Sequence, residues 1–275
     1  MRNKLREEEI VKLRADVKYA LVGIMNEEGY PHVNLLTSLE AKNDHEMMFG
    51  RNYYGRTKLL MEEKKDCGFL IMSLEKELWT GKMRYTSTES SGDDKVYYNE
   101  KPKNRYNAYY PVNDVLHFDL LEVADGKVDM SAYAESAKKC APLAADYVSG
   151  SGEDPLTGPA LEMASSPTCA KFLAYEGADG FPRLIPLMQA VIAGEDRFIF
   201  SPQPNAEDVA DIPTGAKVTV HCLQLNNLQG VQFRGIYQGI KDEIGVIDVK
   251  QAYNPMPPCP RIIYPRKPLE AVTEF

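Results

Sequence analysis

This sequence is poor in the features that announce metal, disulfide or hydrolytic chemistry. Its five cysteines, Cys67, Cys140, Cys169, Cys222 and Cys259, are scattered and odd in number, and no C-x-x-C pair occurs. Neither a disulfide framework nor a metal site is expected from that pattern. Only four histidines are present: His32, His45, His117 and His221. His221 and Cys222 are neighbours on a strand candidate, so they point to opposite faces and cannot share one ion. His45 and His117 stand alone. No Ser/His/Asp set, His-Glu-x-x-His run or Walker-type loop supports a hydrolase or an NTPase.

Long apolar runs are missing too. Nothing approaches the ~20 residues that span a bilayer. The start, "MRNKLREEEIVKLRADVKYAL", is heavily charged and has no signal-peptide core. The expectation is a cytosolic protein with no membrane partner. Positive charge is also in deficit, with a formal net charge of −8. A general nucleic-acid binder neutralises phosphates with Lys and Arg, so that class is not expected. A local basic cluster inside an acidic protein can still hold a small anion.

What is present is β-rich. The 275 residues are 44% hydrophobic and 26% charged, ordinary for a soluble globular chain. Residues 4–19 predict an amphipathic helix, with Leu5, Ile10, Leu13 and Val17 at helical spacing. Two β-rich runs flank the turn "NEEGYP", and "AKNDHE" separates "VNLLTSL" from "MMFG", which predicts a meander. A helix over about 56–65 follows, then the strand "CGFLIMSL" and the segment "LWTGKMRYTST". Residues 87–114 are polar and Tyr-rich and read as a long loop, of the kind that is functional or mobile. Its tyrosines would cover a site or anchor the loop. The Pro-rich C-terminus cannot sit in a central strand, because each Pro removes a ladder donor, and reads as an extended tail.

The second half repeats the first. Residues 180–224 lie on 29–73 without a gap: Gly180–Phe181–Pro182 on Gly29–Tyr30–Pro31, Leu187 on Leu36, Phe200 on Phe49. Two copies of a six-strand-scale unit imply two barrels or sandwiches rather than a solenoid. The expected division is a first domain over 1–148, a linker over 149–159, and a second, degenerate domain over 160–275.

The repeat isolates one stretch, "MFGRNYYGRTKLLMEE". Its basic residues have no counterparts in copy two: Arg51 falls on Pro202, Arg56 on Glu207, Thr57 on Asp208 and Lys58 on Val209. A strand ends at Gly50, the chain turns, and a helix starts near Arg56. Exposed N–H groups at a helix start favour an anion, and Thr57 and Lys58 add a hydroxyl and a cation. Arg51 would close on the same oxygens. A phosphate monoester is the expected guest. The competing reading is a solvated helix start.

The helix, the G-Y-P turn, the basic stretch and the following apolar strand together resemble the pyridoxamine 5'-phosphate-oxidase-like FMN-binding split-barrel family. The resemblance covers about residues 10–125 well and 160–250 more loosely. It implies a mainly β fold with flanking helices, built as two tandem split β-barrels. It implies FMN as cofactor, with Arg51, Asn52, Arg56, Thr57 and Lys58 as phosphate and ribityl contacts. Asn34, Leu36, Thr37 and Ser38 would line the isoalloxazine. Trp79, the single tryptophan, would border the flavin ring or pack in a core. His32 would be a proton donor near the flavin or a structural histidine. The strand motif and the C-terminal Arg and His arrangement of true pyridoxamine phosphate oxidases are absent. What remains implied is a generic FMN-dependent oxidoreductase of flavin-reductase-like type, acting on a small-molecule redox substrate, with NADH or NADPH as candidate donor. The alternative is a flavin- or haem-binding carrier or sensor. Two barrels of this family normally pair, through a homodimer or here through an intramolecular pseudo-dimer. No catalytic residue is named.

Overall fold

The computed structural model describes residues 2–105, 111–148, 156, 158–255, 260–265 and 268. They form two compact units. The first comprises Met1–Asn26, His32–Val128 and Gly180–Arg183; the second comprises Glu27–Pro31, Asp129–Asp179 and Leu184–Phe275. Most of the expected linker and of the C-terminal tail lies outside the described residues.

The first unit begins with helix α1 (Glu7–Leu13). Strands β1 (Tyr19–Met25), β2 (Pro31–Leu35), β3 (Leu39–Ala41) and β4 (Glu46–Arg51) follow. Helix α2 (Arg56–Lys64) then leads into β5 (Asp66–Met72) and β6 (Glu77–Glu89). Helices α3 (Asp93–Glu100) and α4 (Pro102–Arg105) precede β7 (Asp114–Lys127). The strand order is β2-β1-β5-β6-β7-β4-β3, an open path whose two ends do not pair with each other. The core lies under this sheet, with Val22, Ile24, Leu39, Phe49, Phe69, Ile71, Met83, Phe118 and Val123 all buried.

Three expectations change. Helix α1 ends at Leu13 rather than running to residue 19. Arg14, just past its end, turns its guanidinium onto Ala41 O at 2.8 Å, and Val17 is left exposed. The meander is not one. Strands β2 and β3, consecutive in the chain, stand at opposite ends of the sheet. A tight corner separates them: Leu36 N donates to Ala20 O at 2.7 Å and Leu39 N to Leu36 O at 2.9 Å. The long polar loop is also largely structured. Strand β6 runs on to Glu89, and α3 and α4 occupy 93–105. Tyr98 of α3 is fully buried, its hydroxyl 2.8 Å from Ser38 O and 3.0 Å from Met48 O. Polar composition concealed a helix whose tertiary contact is one tyrosine and a few neighbours. Tyr106–Tyr110, part of the expected tyrosine cover, lies outside the described residues.

The second unit contains α5 (Met130–Cys140) and α6 (Pro159–Ser165). Strands β8 (Cys169–Glu176), β9 (Pro182–Pro186), β10 (Val191–Ala193) and β11 (Arg197–Phe200) follow. Then come α7 (Ala206–Ala210), β12 (Lys217–Gln224), β13 (Gly230–Lys241), β14 (Ile244–Asn254) and β15 (Arg261–Tyr264). Its sheet runs β10-β11-β14-β13-β12-β8-β9. Read backwards, that is the order of the first sheet, strand for strand. The gapless register of the sequence also holds: β2 at 31–35 meets β9 at 182–186, and β5 at 66–72 meets β12 at 217–224. Gly29 and Gly180, the turn glycines of the two copies, both take positive φ, +77° and +83°. That is backbone a side chain would strain, so both copies retain Gly there. Strand β15 pairs with β14 off the common path, so part of the expected tail is a strand. Its four residues contain no Pro, which allows a ladder. No described helix is long and apolar enough to cross a membrane.

Candidate functional site

The site begins where the repeat fails. Strand β4 ends at Arg51, residues 52–55 turn, and α2 starts with Gly55 as its N-cap. Among the described residues no side chain caps this helix. Its first turn therefore presents backbone N–H groups and the positive end of the helix dipole without an anionic side chain.

Lys58 lies in that first turn and is buried, at 9% exposure. Its ammonium accepts company only from two rings, 5.7 Å from the centre of Phe49 and 6.0 Å from that of Tyr53. No carboxylate or carbonyl meets it among the described residues. A Cβ built on the N-cap Gly55 would stand 3.9 Å from Lys58 Nζ, so the cation curls back to the helix start. Burial, and then the neighbouring Arg51 charge, push its pKa down from 10.5 to about 8. A desolvated cation at the positive end of a helix is unfavourable alone and becomes favourable with an anion bound. In the second unit the equivalent Val209 is likewise buried. The position faces inward in both copies, and only the first fills it with charge.

Thr57 is buried beside it. Asn34 Nδ2 donates to Thr57 Oγ1 at 3.1 Å, and His32 Nε2 lies 2.9 Å from the same oxygen. Strand β2 thereby holds the hydroxyl of α2 in place. Copy two replaces the set: His32 falls on Arg183, Asn34 on Ile185, Thr57 on Asp208. His32 is thus a partner of Thr57, a role its sequence position did not reveal.

Arg51 is placed differently from the sequence reading. Its guanidinium is already engaged by carboxylates of the protein. Nε and Nη2 donate to Asp114 Oδ2 at 3.0 and 2.5 Å, and Nη1 donates to Glu62 Oε1 at 2.8 Å. Its face stacks on Tyr54, 4.2 Å from the ring centre. Asp114 also accepts from Tyr54 Oη at 2.7 Å and Ser90 Oγ at 2.6 Å. Burial alone would raise the Asp114 pKa, but the hydrogen bonds from Ser90, Tyr54 and Arg51 outweigh it and hold it at about 2. Arg51 therefore braces the turn rather than standing open to a ligand. Its partner Asp114 lies 63 residues away, and no local pattern could have named it.

The remaining candidates divide. Arg56 is exposed at the helix start, and Asn52 is half-buried in the turn, its carbonyl accepting from Asn113 Nδ2 at 3.2 Å. Asn34 and Thr37 are half-buried on and just after β2. Leu36 is a core residue. Ser38 is structural: its hydroxyl donates to Gly50 O at 2.8 Å. In copy two, Gln189 donates to Ser201 O at 2.8 Å from the same two positions. Trp79 is 3% exposed in the core, and its Nε1 donates to Glu9 Oε1 at 3.2 Å. It borders an open cleft of about 550 Å³ lined by Lys12, Val17, Ile71 and Leu74. None of the residues of the basic turn lines that cleft, so the cleft and the Lys58 ammonium are separate places.

Over part of its length, the chain is similar to flavin-binding split-barrel proteins. HupZ of Group A Streptococcus is 14% identical, matches 45% of this chain and 95% of its own, and gives a TM-score of 0.36. An FMN-binding protein of Syntrophomonas wolfei is 13% identical, matches 44% of this chain and 88% of its own, and gives 0.37. An F420 reductase is 12% identical, matches 45% of this chain and all of its own, and gives 0.34. No family model and no curated protein matches the sequence.

Proposed function

We propose that the first unit binds FMN, with the flavin phosphate at the start of α2, and that the chain is an FMN-dependent oxidoreductase. The observation that carries the reading is Lys58: a buried ammonium at an uncapped helix N-terminus, with no acceptor among the described residues. A phosphate dianion supplies the missing charge. Thr57 adds a directed donor. Asn34 donates to its hydroxyl oxygen, and in the tautomer in which His32 carries its proton on Nε2 the hydroxyl proton is free to donate outward. Arg56 adds an exposed cation, and the Arg51–Asp114–Glu62 cluster keeps the turn rigid. Asn52, Asn34 and Thr37 are the polar groups placed to meet the rest of the molecule. FMN, rather than another phosphate ester, follows from the resemblance of the sequence.

Bound flavin supplies reversible redox chemistry; the protein supplies binding, orientation and electrostatics. The electron donor proposed is NADH or NADPH, and the substrate a small molecule. The test is a visible spectrum of the purified protein with identification of any extracted chromophore, followed by titration of flavin-free protein with FMN and with riboflavin. FMN should bind more tightly than riboflavin, and Lys58→Met should weaken FMN by about 10- to 100-fold, the worth of a charge-assisted hydrogen bond. Equal affinity for FMN and riboflavin, or an unchanged FMN affinity in Lys58→Met, refutes the phosphate assignment.

A further inference from the structure

A second polar cluster lies in the first unit, among residues the phosphate site does not use. Glu89 ends β6, Asp94 lies in the first turn of α3, and His117 sits mid-strand on β7. One ligating atom from each falls within 4.8 Å of the other two. His117 Nε2 is 3.6 Å from Glu89 Oε2 and 3.6 Å from Asp94 Oδ2. We infer that Glu89, Asp94 and His117 form a divalent-cation site, with nitrogen and oxygen donors suited to zinc.

The imidazole is the first reason. The His117 side chain is only 6% exposed, yet neither ring nitrogen has a hydrogen-bond partner among the described residues. A buried donor and acceptor left unmade cost free energy. A His held there for packing alone would gain by becoming apolar, and the second unit makes that change. Met48 of β4 pairs with His117, and its repeat equivalent Ile199 of β11 pairs with Val246. Val246 is buried, so the fold does not need an imidazole at this place.

The spacing is the second reason. At 3.6 Å the nitrogen–oxygen separations exceed a good N–H···O hydrogen bond. Two ligands about 2.1 Å from a tetrahedral zinc stand about 3.4 Å apart. The two His117 separations therefore suit groups sharing an ion rather than a proton, and the Glu89 and Asp94 oxygens stay within 4.8 Å of each other. Three protein ligands leave a fourth position for water. Charge agrees as well. Lys42 Nζ pairs with the same Asp94 Oδ2 at 2.8 Å, so a bound ion shares that oxygen with an ammonium, while the two carboxylates and Lys42 together leave the cluster one net negative charge. Three different elements contribute the ligands, which is why no metal-binding spacing was legible in the sequence.

The full chain, stripped with EDTA, is titrated calorimetrically with Zn²⁺, beside Glu89→Gln/Asp94→Asn and His117→Val. The double variant changes partly solvent-facing carboxylates and should fold. His117→Val copies the second unit. The parent should take up one Zn²⁺ that both variants bind about 100-fold more weakly or not at all, since even outer-shell changes cost 10- to 100-fold. A parent that binds no Zn²⁺ overturns the inference. So does Zn²⁺ uptake that both variants retain, which would place the ion on the thiols.

Discussion

Replacing Lys58 with methionine should stabilise the ligand-free first unit while weakening its grip on an anion. The side chain keeps its length and loses its charge. In the folded chain the ammonium pKa is about 8 rather than 10.5, through burial and then Arg51. At 1.36 kcal/mol per pKa unit, that difference corresponds to about 3 kcal/mol against the charged form. Lys58 is 9% exposed, so little solvent screening reduces the figure. The sign follows from proton binding. Between pH 8 and 10.5 the unfolded chain holds the proton and the folded chain releases it, so stability rises with pH across that window. Below pH 8 both states are charged and the full cost applies. Lys58→Met removes the cost and the pH dependence together. Trp79 is the single tryptophan and belongs to the first unit, so its fluorescence during urea unfolding reports that unit. In phosphate-free buffer at pH 7, Lys58→Met should be more stable by about 2–3 kcal/mol, and the gap should close by pH 10.5. Buried Val209 in copy two indicates that an apolar side chain fits this position. A variant less stable than the parent at pH 7 would mean that the ammonium has a partner within the protein and that the helix start does not call for an anion.

Two further outcomes follow from buried titrating groups. His221 in the second unit is fully buried, neither ring nitrogen has a hydrogen-bond partner among the described residues, and burial pushes its pKa down to about 4. Its unfolded form takes a proton below about pH 6.5, so the second unit should lose stability as pH falls from 6.5 to 4; hydrogen exchange of β12 amides should show the loss, and His221→Leu should abolish it. Glu9 ties α1 to the sheet through Arg2 at 2.8 Å, Arg6 at 2.8 Å and Trp79 Nε1 at 3.2 Å. Burial raises its pKa, but those donors prevail and hold it at about 2. Its contribution is present above pH 4.5 and fades toward pH 2. Because Arg2 and Arg6 are partly exposed, Glu9→Gln should cost only about 1–2 kcal/mol at pH 7, read by Trp79 fluorescence; no loss would mean that the network is fully screened.

Much of the architecture was written locally. Strands β1, β2 and β5 follow from apolar runs between Gly, Asn and Pro turns, and a gapless repeat carries them to β8, β9 and β12 because each copy folds by the same short-range rules. The proposed anion site was legible for the same reason. A helix start, its hydroxyl and its lysine are contiguous, and copy two supplied the comparison that singled them out.

Tertiary structure decided the rest. Only the sheet order shows that β2 and β3 part company, because pairing partners are chosen by burial across the whole unit. Arg51 looked like a free phosphate ligand in sequence and proved to be held by Asp114, whose carboxylate arrives from β7. Helix α3 was hidden in a polar segment, since its docking rests largely on Tyr98 beneath β3 and β4. Glu89, Asp94 and His117 have no shared spacing at all. By itself the sequence determined the repeated strands and the position of the unmatched cation, because those depend on neighbours along the chain. Which charges are paired, and which are left facing a ligand, depended on residues that only folding brings within reach.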